Sequence, residues 1–110
     1  METLNVDHLK PLYADSPHEL VELIKETVNG SAELIDAIER NSESHDAKAA
    51  DSAHELKGVC GTTGAQELAA IAAEIETWSR SGEWDRILGR IADLRAAHRR
   101  LAEAATELRP

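Results

Sequence analysis

The residues best suited to chemistry lie on one side of a predicted helix: His54, Lys57, Gly58 and Gly61. With His54 at zero and about 100° per residue, Lys57 lies at about 300°, while Gly58 and Gly61 lie at about 40° and about 340°. An imidazole in water is largely neutral at pH 7, so one ring nitrogen has a free lone pair and can act as a nucleophile. A glycine inside a helix costs roughly 1 kcal/mol relative to alanine. Two glycines beside the histidine therefore indicate that another molecule comes close to this ring.

The opposite side of the same helix is apolar. Leu56, Cys60 and Ala53 lie at about 200°, about 240° and about 260° on the same scale. This side is predicted to face the core, with Cys60 as a small apolar packing residue. His54 is therefore predicted to face solvent.

The elements around this helix are predicted to be helical as well, because apolar residues recur at helical spacing along nearly the whole chain. Polar or glycine-containing breaks separate the segments at Asn41–Ser44, at Gly64 and at Ser81-Gly82. Gly64 is expected to be the left-handed residue that ends the histidine helix. The predicted helices span about residues 5–13, 17–40, 44–61 and 65–80, with a last one from about residue 83.

The longest of these segments has a strong start signal, since Ser16 can cap, Pro17 suits the first helical position, and Glu19 completes a capping box. Its apolar stripe passes through Asn29-Gly30 without a change of phase. One long helix, kinked or straight at Gly30, is the preferred interpretation, and two helices with a new cap at Ser31 are the alternative.

Short connections between long amphipathic helices favour an antiparallel arrangement. The predicted fold class is all-α, an antiparallel up-and-down four-helix bundle with a short additional N-terminal helix that covers one end. The 110 residues are expected to form a single domain, 1–110. A composition with 42% hydrophobic but only 3% aromatic residues fits helices better than sheet.

The charge balance excludes some partners. A net charge of -9, with 21 acidic against 12 basic residues, argues against a nucleic-acid partner, which would require a basic stripe. No apolar run is long enough to span a bilayer, and the start has no signal-peptide pattern. A lone cysteine, Cys60, suits a reducing compartment. We therefore expect a cytoplasmic protein that neither binds nucleic acid nor enters a membrane.

The motif from His54 to Gly64 reads His-x-Leu-Lys-Gly-x-x-Gly-x-x-Gly. This pattern, on the second long helix of a small acidic bundle, resembles the histidine-containing phosphotransfer (HPt) domains of multistep two-component signalling. The Asp-Ser-Pro start of the long helix and the apolar helix after the motif also resemble that family. The resemblance extends over essentially the whole chain.

This resemblance implies a phosphorelay intermediate without kinase activity of its own. His54 would accept a phosphoryl group from the aspartyl phosphate of a receiver domain and pass it to another receiver aspartate. Lys57 would offset the phosphoryl charge, and Gly58 and Gly61 would leave room for the receiver. The implied partners are the receiver domain of a hybrid sensor histidine kinase, a response regulator, or both. Magnesium would come from the receiver, so the chain, expected to be a monomer, would need no metal or other cofactor.

Two weaker expectations follow from antiparallel geometry. Residues 74–76 should lie level with His54 across the turn at Gly64, so Glu74 or Glu76 is a candidate to orient the ring. Relatives often carry an amide near the position of Glu76, so a carboxylate departs from the pattern. Asn29-Gly30 on the preceding helix is also expected near the level of His54.

Two other functions remain open from the sequence. The main alternative is a helical docking module that binds a receiver or another signalling partner without transferring phosphate. A metal-binding bundle is the second, with Asp51 and His54 as its one candidate pair, but the sequence shows no second pair of this kind. The remaining histidines are interpreted as ordinary surface or packing residues: His8, His18, His45 and His98.

Overall fold

Four long helices make up most of the chain in the computed structural model, which describes residues 2–110; Met1 lies outside the described residues. The all-α prediction is confirmed for this range, where every regular element is a helix. In chain order the elements are a short 3-10 helix (Lys10–Tyr13), α1 (Pro17–Glu43), α2 (Lys48–Thr63), α3 (Gln66–Arg80) and α4 (Trp84–Thr106).

The four α-helices form the predicted bundle. Helix α2 packs between α1 and α3, and α4 packs between α3 and α1. The 27 residues of α1, at about 1.5 Å per residue, reach along most of the 45 Å long axis. The core is aliphatic, and its largest fully buried side chains come from all four helices: Ile24, Ile35, Ile38, Leu56, Leu68, Ile75, Ile87, Leu94 and Leu101.

Helix α1 is continuous through Gly30, which decides between the two sequence alternatives in favour of a single helix. Ser16 occupies the N-cap position and Pro17 the first turn as predicted. The expected capping box is absent, however, because no side-chain hydrogen bond is made at this cap. The stripe of buried residues along α1 holds the helix together without that cap, as tertiary packing usually does.

The boundary between α1 and α2 differs from the prediction. The polar residues 41–43 continue α1, and α2 begins at Lys48 rather than near residue 44. His45 adopts a positive φ of 55°, and the amide of Asp46 donates to the carbonyl of Asn41 at 2.8 Å, a left-handed closure of the helix end. The Asp46 side chain then accepts from the amide of Lys48 at 2.9 Å. This turn, rather than polarity, determines where the helices end.

The N-terminal segment is less helical than predicted, since only residues 10–13 form a 3-10 helix instead of a helix over 5–13. The amide of Asn5 donates to the carbonyl of Gly64 at 2.9 Å, which draws the segment along the α2–α3 turn. Val6 and Leu9 are buried and cover one end of the bundle as expected, but Leu12 is 77% exposed. Pro11 has no amide hydrogen and favours the short turn over a longer helix.

None of the helices within residues 2–110 combines the length and the apolar character needed to cross a membrane.

Gly64 is the residue on which the α2–α3 turn depends. Its φ is +89°, and a Cβ added there would lie 1.8 Å from the carbonyl oxygen of Asn5. The amide of Ala65 closes the turn by donating to the carbonyl of Cys60 at 2.8 Å. Both the backbone conformation and the approach of the N-terminal segment therefore require glycine.

We expect Gly64→Ala to lower the free energy of unfolding by at least about 1–2 kcal/mol, the cost of a left-handed non-glycine residue. Gly89→Ala on the exposed side of α4 is the matched control, because a Cβ there meets open space. The control should gain up to roughly 1 kcal/mol from helix propensity. Urea denaturation of both variants tests this, and a Gly64→Ala protein as stable as the control would contradict it.

Candidate functional site

His54 lies in the middle of α2 and faces outward, with a side chain that is 65% exposed. Its neighbours Ala53 and Leu56 are fully buried, so the apolar side of α2 holds the helix against the core. Full burial of a leucine side chain contributes roughly 1.5–3 kcal/mol. The position of the ring on the surface is therefore determined by the opposite side of its own helix.

The ring of His54 contacts Glu76 of α3. Its carboxylate Oε2 lies 2.9 Å from Nδ1 of His54, and its side chain is only 11% exposed. The turn at Gly64 brings α2 and α3 side by side in antiparallel register, so residues 54 and 76 are level. Ala72 and Ile75 are fully buried and hold α3 in this position.

Two cations share the same carboxylate. Nζ of Lys57 lies 2.8 Å from Oε1 of Glu76, and Nη2 of Arg80 donates to Oε2 at 2.9 Å. Oε2 therefore contacts both the imidazole and the guanidinium. This cluster of four side chains, His54, Lys57, Glu76 and Arg80, is called the Glu76 cluster below.

These contacts keep the carboxylate ionised. The hydrogen bond from Lys57, and then that from Arg80, lower the pKa of Glu76 from 4.5 to about 2, although burial opposes the shift. An ionised carboxylate has no proton to donate, so the ring must donate through Nδ1–H. The neutral imidazole then carries its free lone pair on Nε2.

Arg80 was not predicted as a site residue from the sequence. Its spacing of four residues from Glu76 was the available signal, because side chains at i and i+4 are neighbours on a helix. Lys57 is on the expected side of α2, but its ammonium contacts Glu76 rather than standing free beside the ring.

The way the helices align decides two of the weaker expectations, those for Glu74 and for Asn29-Gly30. Glu74, the alternative to Glu76, pairs with Arg90 of α4 at 3.2 Å and takes no part in the cluster. Asn29-Gly30 does not lie level with His54, because Ser31 Oγ contacts Cys60 Sγ at 3.7 Å. That contact aligns this part of α1 with the C-terminal end of α2, so the expectation was wrong.

Gly58 and Gly61 lie on the exposed side of α2, about one and two turns after His54. A Cβ added at either residue meets no atom of the chain within 4 Å, so packing within the described part of the protein requires neither glycine. A shallow groove between α1 and α2 adjoins Gly58, and it is lined by Leu23, Thr27, His54, Glu55, Gly58, Val59, Thr62 and Thr63.

The other histidines lie outside the Glu76 cluster. His98 is half-buried, and its Nε2 lies 2.8 Å from the carbonyl of Val28, as a packing residue would. His8 Nε2 lies 2.8 Å from the carbonyl of Thr62, and His45 stacks on Trp84 with ring centroids 5.5 Å apart. Between residues 2 and 110, no group of three or more His, Cys, Asp or Glu side chains is arranged to hold a metal ion.

The family model described as Hpt domain matches residues 19–108, nearly the whole chain. The chain belongs to the Hpt domain family. Hpt domains carry phosphoryl groups on histidine in phosphorelays, work with receiver domains, and are not kinases. No curated protein and no solved structure matches the chain.

The lowered pKa of Glu76 has a consequence for acid stability. Because the folded value of about 2 lies below the ordinary 4.5, the stabilisation is complete above about pH 4.5. It is lost as the pH falls from there toward about 2. At 1.36 kcal/mol per pKa unit, the difference between 4.5 and about 2 corresponds to a contribution of roughly 3 kcal/mol at most.

We expect Glu76→Gln to flatten the decrease in unfolding free energy between about pH 5 and about pH 2. Chemical denaturation at a series of pH values measures that slope in both proteins. Glu74→Gln is the control for a lost negative charge on the same helix. An equal change in both variants would mean that the pH dependence of the unfolding free energy reflects net charge and not the Glu76 cluster.

Proposed function

We propose that this Hpt domain is a phosphorelay intermediate that uses His54 as the phosphoacceptor. It takes the phosphoryl group from the aspartyl phosphate of one receiver domain and passes it to the aspartate of another. The observation that carries this proposal is an exposed imidazole whose Nδ1 contacts an ionised carboxylate at 2.9 Å, which leaves the Nε2 lone pair free.

In this mechanism Nε2 attacks the phosphorus atom of the aspartyl phosphate. The Nε2–P bond forms while the bond between phosphorus and the aspartyl oxygen breaks, and its electron pair leaves with the receiver carboxylate. The Nδ1 proton stays on the ring, which becomes positively charged. Glu76 fixes the tautomer and stabilises that charge, as a carboxylate does for the catalytic imidazole of serine proteases. The return step reverses these events with a second receiver.

Lys57 is proposed to offset the negative charge that spreads over the phosphoryl oxygens during transfer. It lies one turn after His54 on the same side of α2, where i and i+3 side chains are neighbours. Magnesium belongs to the receiver in this proposal, and the chain itself contributes no cofactor site. The expected partners are the receiver of a hybrid sensor histidine kinase, a response regulator, or both, engaged by a monomer.

Gly58 and Gly61 are proposed to provide clearance for the receiver. The open space above both residues supports this role, since neither glycine is needed to pack the protein itself. The roughly 1 kcal/mol that each glycine costs the helix then has a reason in binding rather than in folding.

The direct test mixes the protein with phosphorylated receiver domains and magnesium and follows acid-labile phosphate. Wild type should become labelled and His54→Gln should not, with unchanged helicity and thermal stability because the side chain is exposed. If no receiver in a broad panel labels wild type while binding is retained in His54→Ala, the protein is a docking module instead. A large loss of stability in His54→Gln would make the residue structural.

A substitution at Gly58 tests whether this glycine serves the approach of the receiver or the stability of the fold. We expect Gly58→Leu to raise the free energy of unfolding by up to about 1 kcal/mol, because leucine has the higher helix propensity. Phosphotransfer from a receiver should nevertheless slow by at least about tenfold, equivalent to 1.36 kcal/mol. Gly89→Leu is the matched control on α4 and should transfer at the wild-type rate. Unchanged transfer in Gly58→Leu would refute the clearance argument.

A further inference from the structure

The single negative charge of Glu76 is paired with two positively charged side chains. Lys57 and Arg80 together bring two positive charges to one carboxylate, which also contacts Nδ1 of His54. The two cations are not equivalent, because Lys57 contacts Oε1, whereas Arg80 contacts Oε2, the oxygen that also contacts Nδ1 of His54.

A phosphoryl group on His54 would add negative charge close to these two cations. A phosphoryl group carries about two negative charges at neutral pH, and on Nε2 it lies on the side of the ring away from Nδ1. Lys57 shares a helix face with His54 and has a flexible stem, so its ammonium can turn toward the phosphoryl oxygens. Arg80 remains bound to the oxygen next to Nδ1.

Without a second cation, that movement would leave the carboxylate of Glu76 paired only with the ring, whose positive charge is shared with the phosphoryl group bound to it. The Glu76 side chain is 11% exposed, and a shielded charge with only a shared partner is costly. It would also stand close to a doubly negative group. Of the two cations in contact with Glu76, Lys57 lies on α2 with His54, whereas Arg80 lies on α3 with Glu76 itself.

We propose that Arg80 is a positioning residue for phosphotransfer: it holds the Glu76 carboxylate on Nδ1 and remains its charge partner when Lys57 turns to the phosphoryl group. This role rests on the proposed function of His54. Arg80 touches neither the phosphoryl group nor the receiver in this scheme and acts only through Glu76. The transfer step itself is unchanged, with Nε2–P formed, the aspartyl O–P bond broken and the Nδ1 proton retained.

A double-mutant cycle tests this dependence. Arg80→Gln in the wild-type background should slow phosphotransfer to and from a receiver by roughly two- to fivefold, typical of one partly exposed ion pair. In the Glu76→Gln background the same substitution should have no further effect, because the group it positions is gone. Lys57→Ala should slow transfer in both backgrounds, since Lys57 also acts on the phosphoryl group.

Two further variants complete the design. Arg100→Gln removes a cation that pairs with Glu67 of α3 at 2.8 Å, far along the chain from His54, and should transfer at the wild-type rate. Arg80→Lys restores the charge and should recover part of the lost rate.

The outcomes separate this inference from the proposed function. If wild type accepts no phosphate from any receiver, the function of His54 fails. If wild type is labelled but Arg80→Gln transfers normally, the positioning role is overturned. It is also overturned if Arg80→Gln slows transfer equally in the Glu76→Gln background, because Arg80 would then act on the receiver or the phosphoryl group directly.

Discussion

The contacts of His54 and Lys57 on α2 with the carboxylate of Glu76 on α3 depend on the antiparallel register of these two helices. The register is set at Gly64, where a φ of +89° closes α2 and the N-terminal segment crosses the turn. A shift by one residue would rotate Glu76 by about 100° around its helix and remove it from the ring. The backbone conformation at one end of the bundle thus determines which side chains of α2 and α3 meet in the middle of it.

The two sides of helix α2 differ in burial and in side-chain bulk. Leu56 and Cys60 are fully buried on the inner side, and burial raises the pKa of the Cys60 thiol to about 11, which keeps it protonated. The outer side carries Gly58 and Gly61 over open space, which weakens the helix. The neighbouring helices compensate through packing, so the protein can keep an exposed histidine with little bulk around it.

Much of the fold was predictable from local patterns. The apolar spacing of α1, the glycine at 64 and the break at Ser81-Gly82 led to the correct number of helices and to their arrangement. The errors lay at helix ends, as with residues 41–43 and the N-terminal segment. There, tertiary contacts such as the hydrogen bond from Asn5 to Gly64 and the left-handed turn at His45 override local polarity.

The sequence by itself determined which side chains share a helix face, because the helical period is a local property of the chain: His54, Lys57, Gly58 and Gly61 are brought together by spacing alone. It also pointed to residues 74–76 through the length of the turn, but it could not choose between Glu74 and Glu76. Only the tertiary structure decided that Glu76 contacts Lys57 and Arg80 while Glu74 pairs with Arg90. The rotation of one helix against its neighbours is set by side-chain packing across the bundle, and no local sequence pattern encodes it.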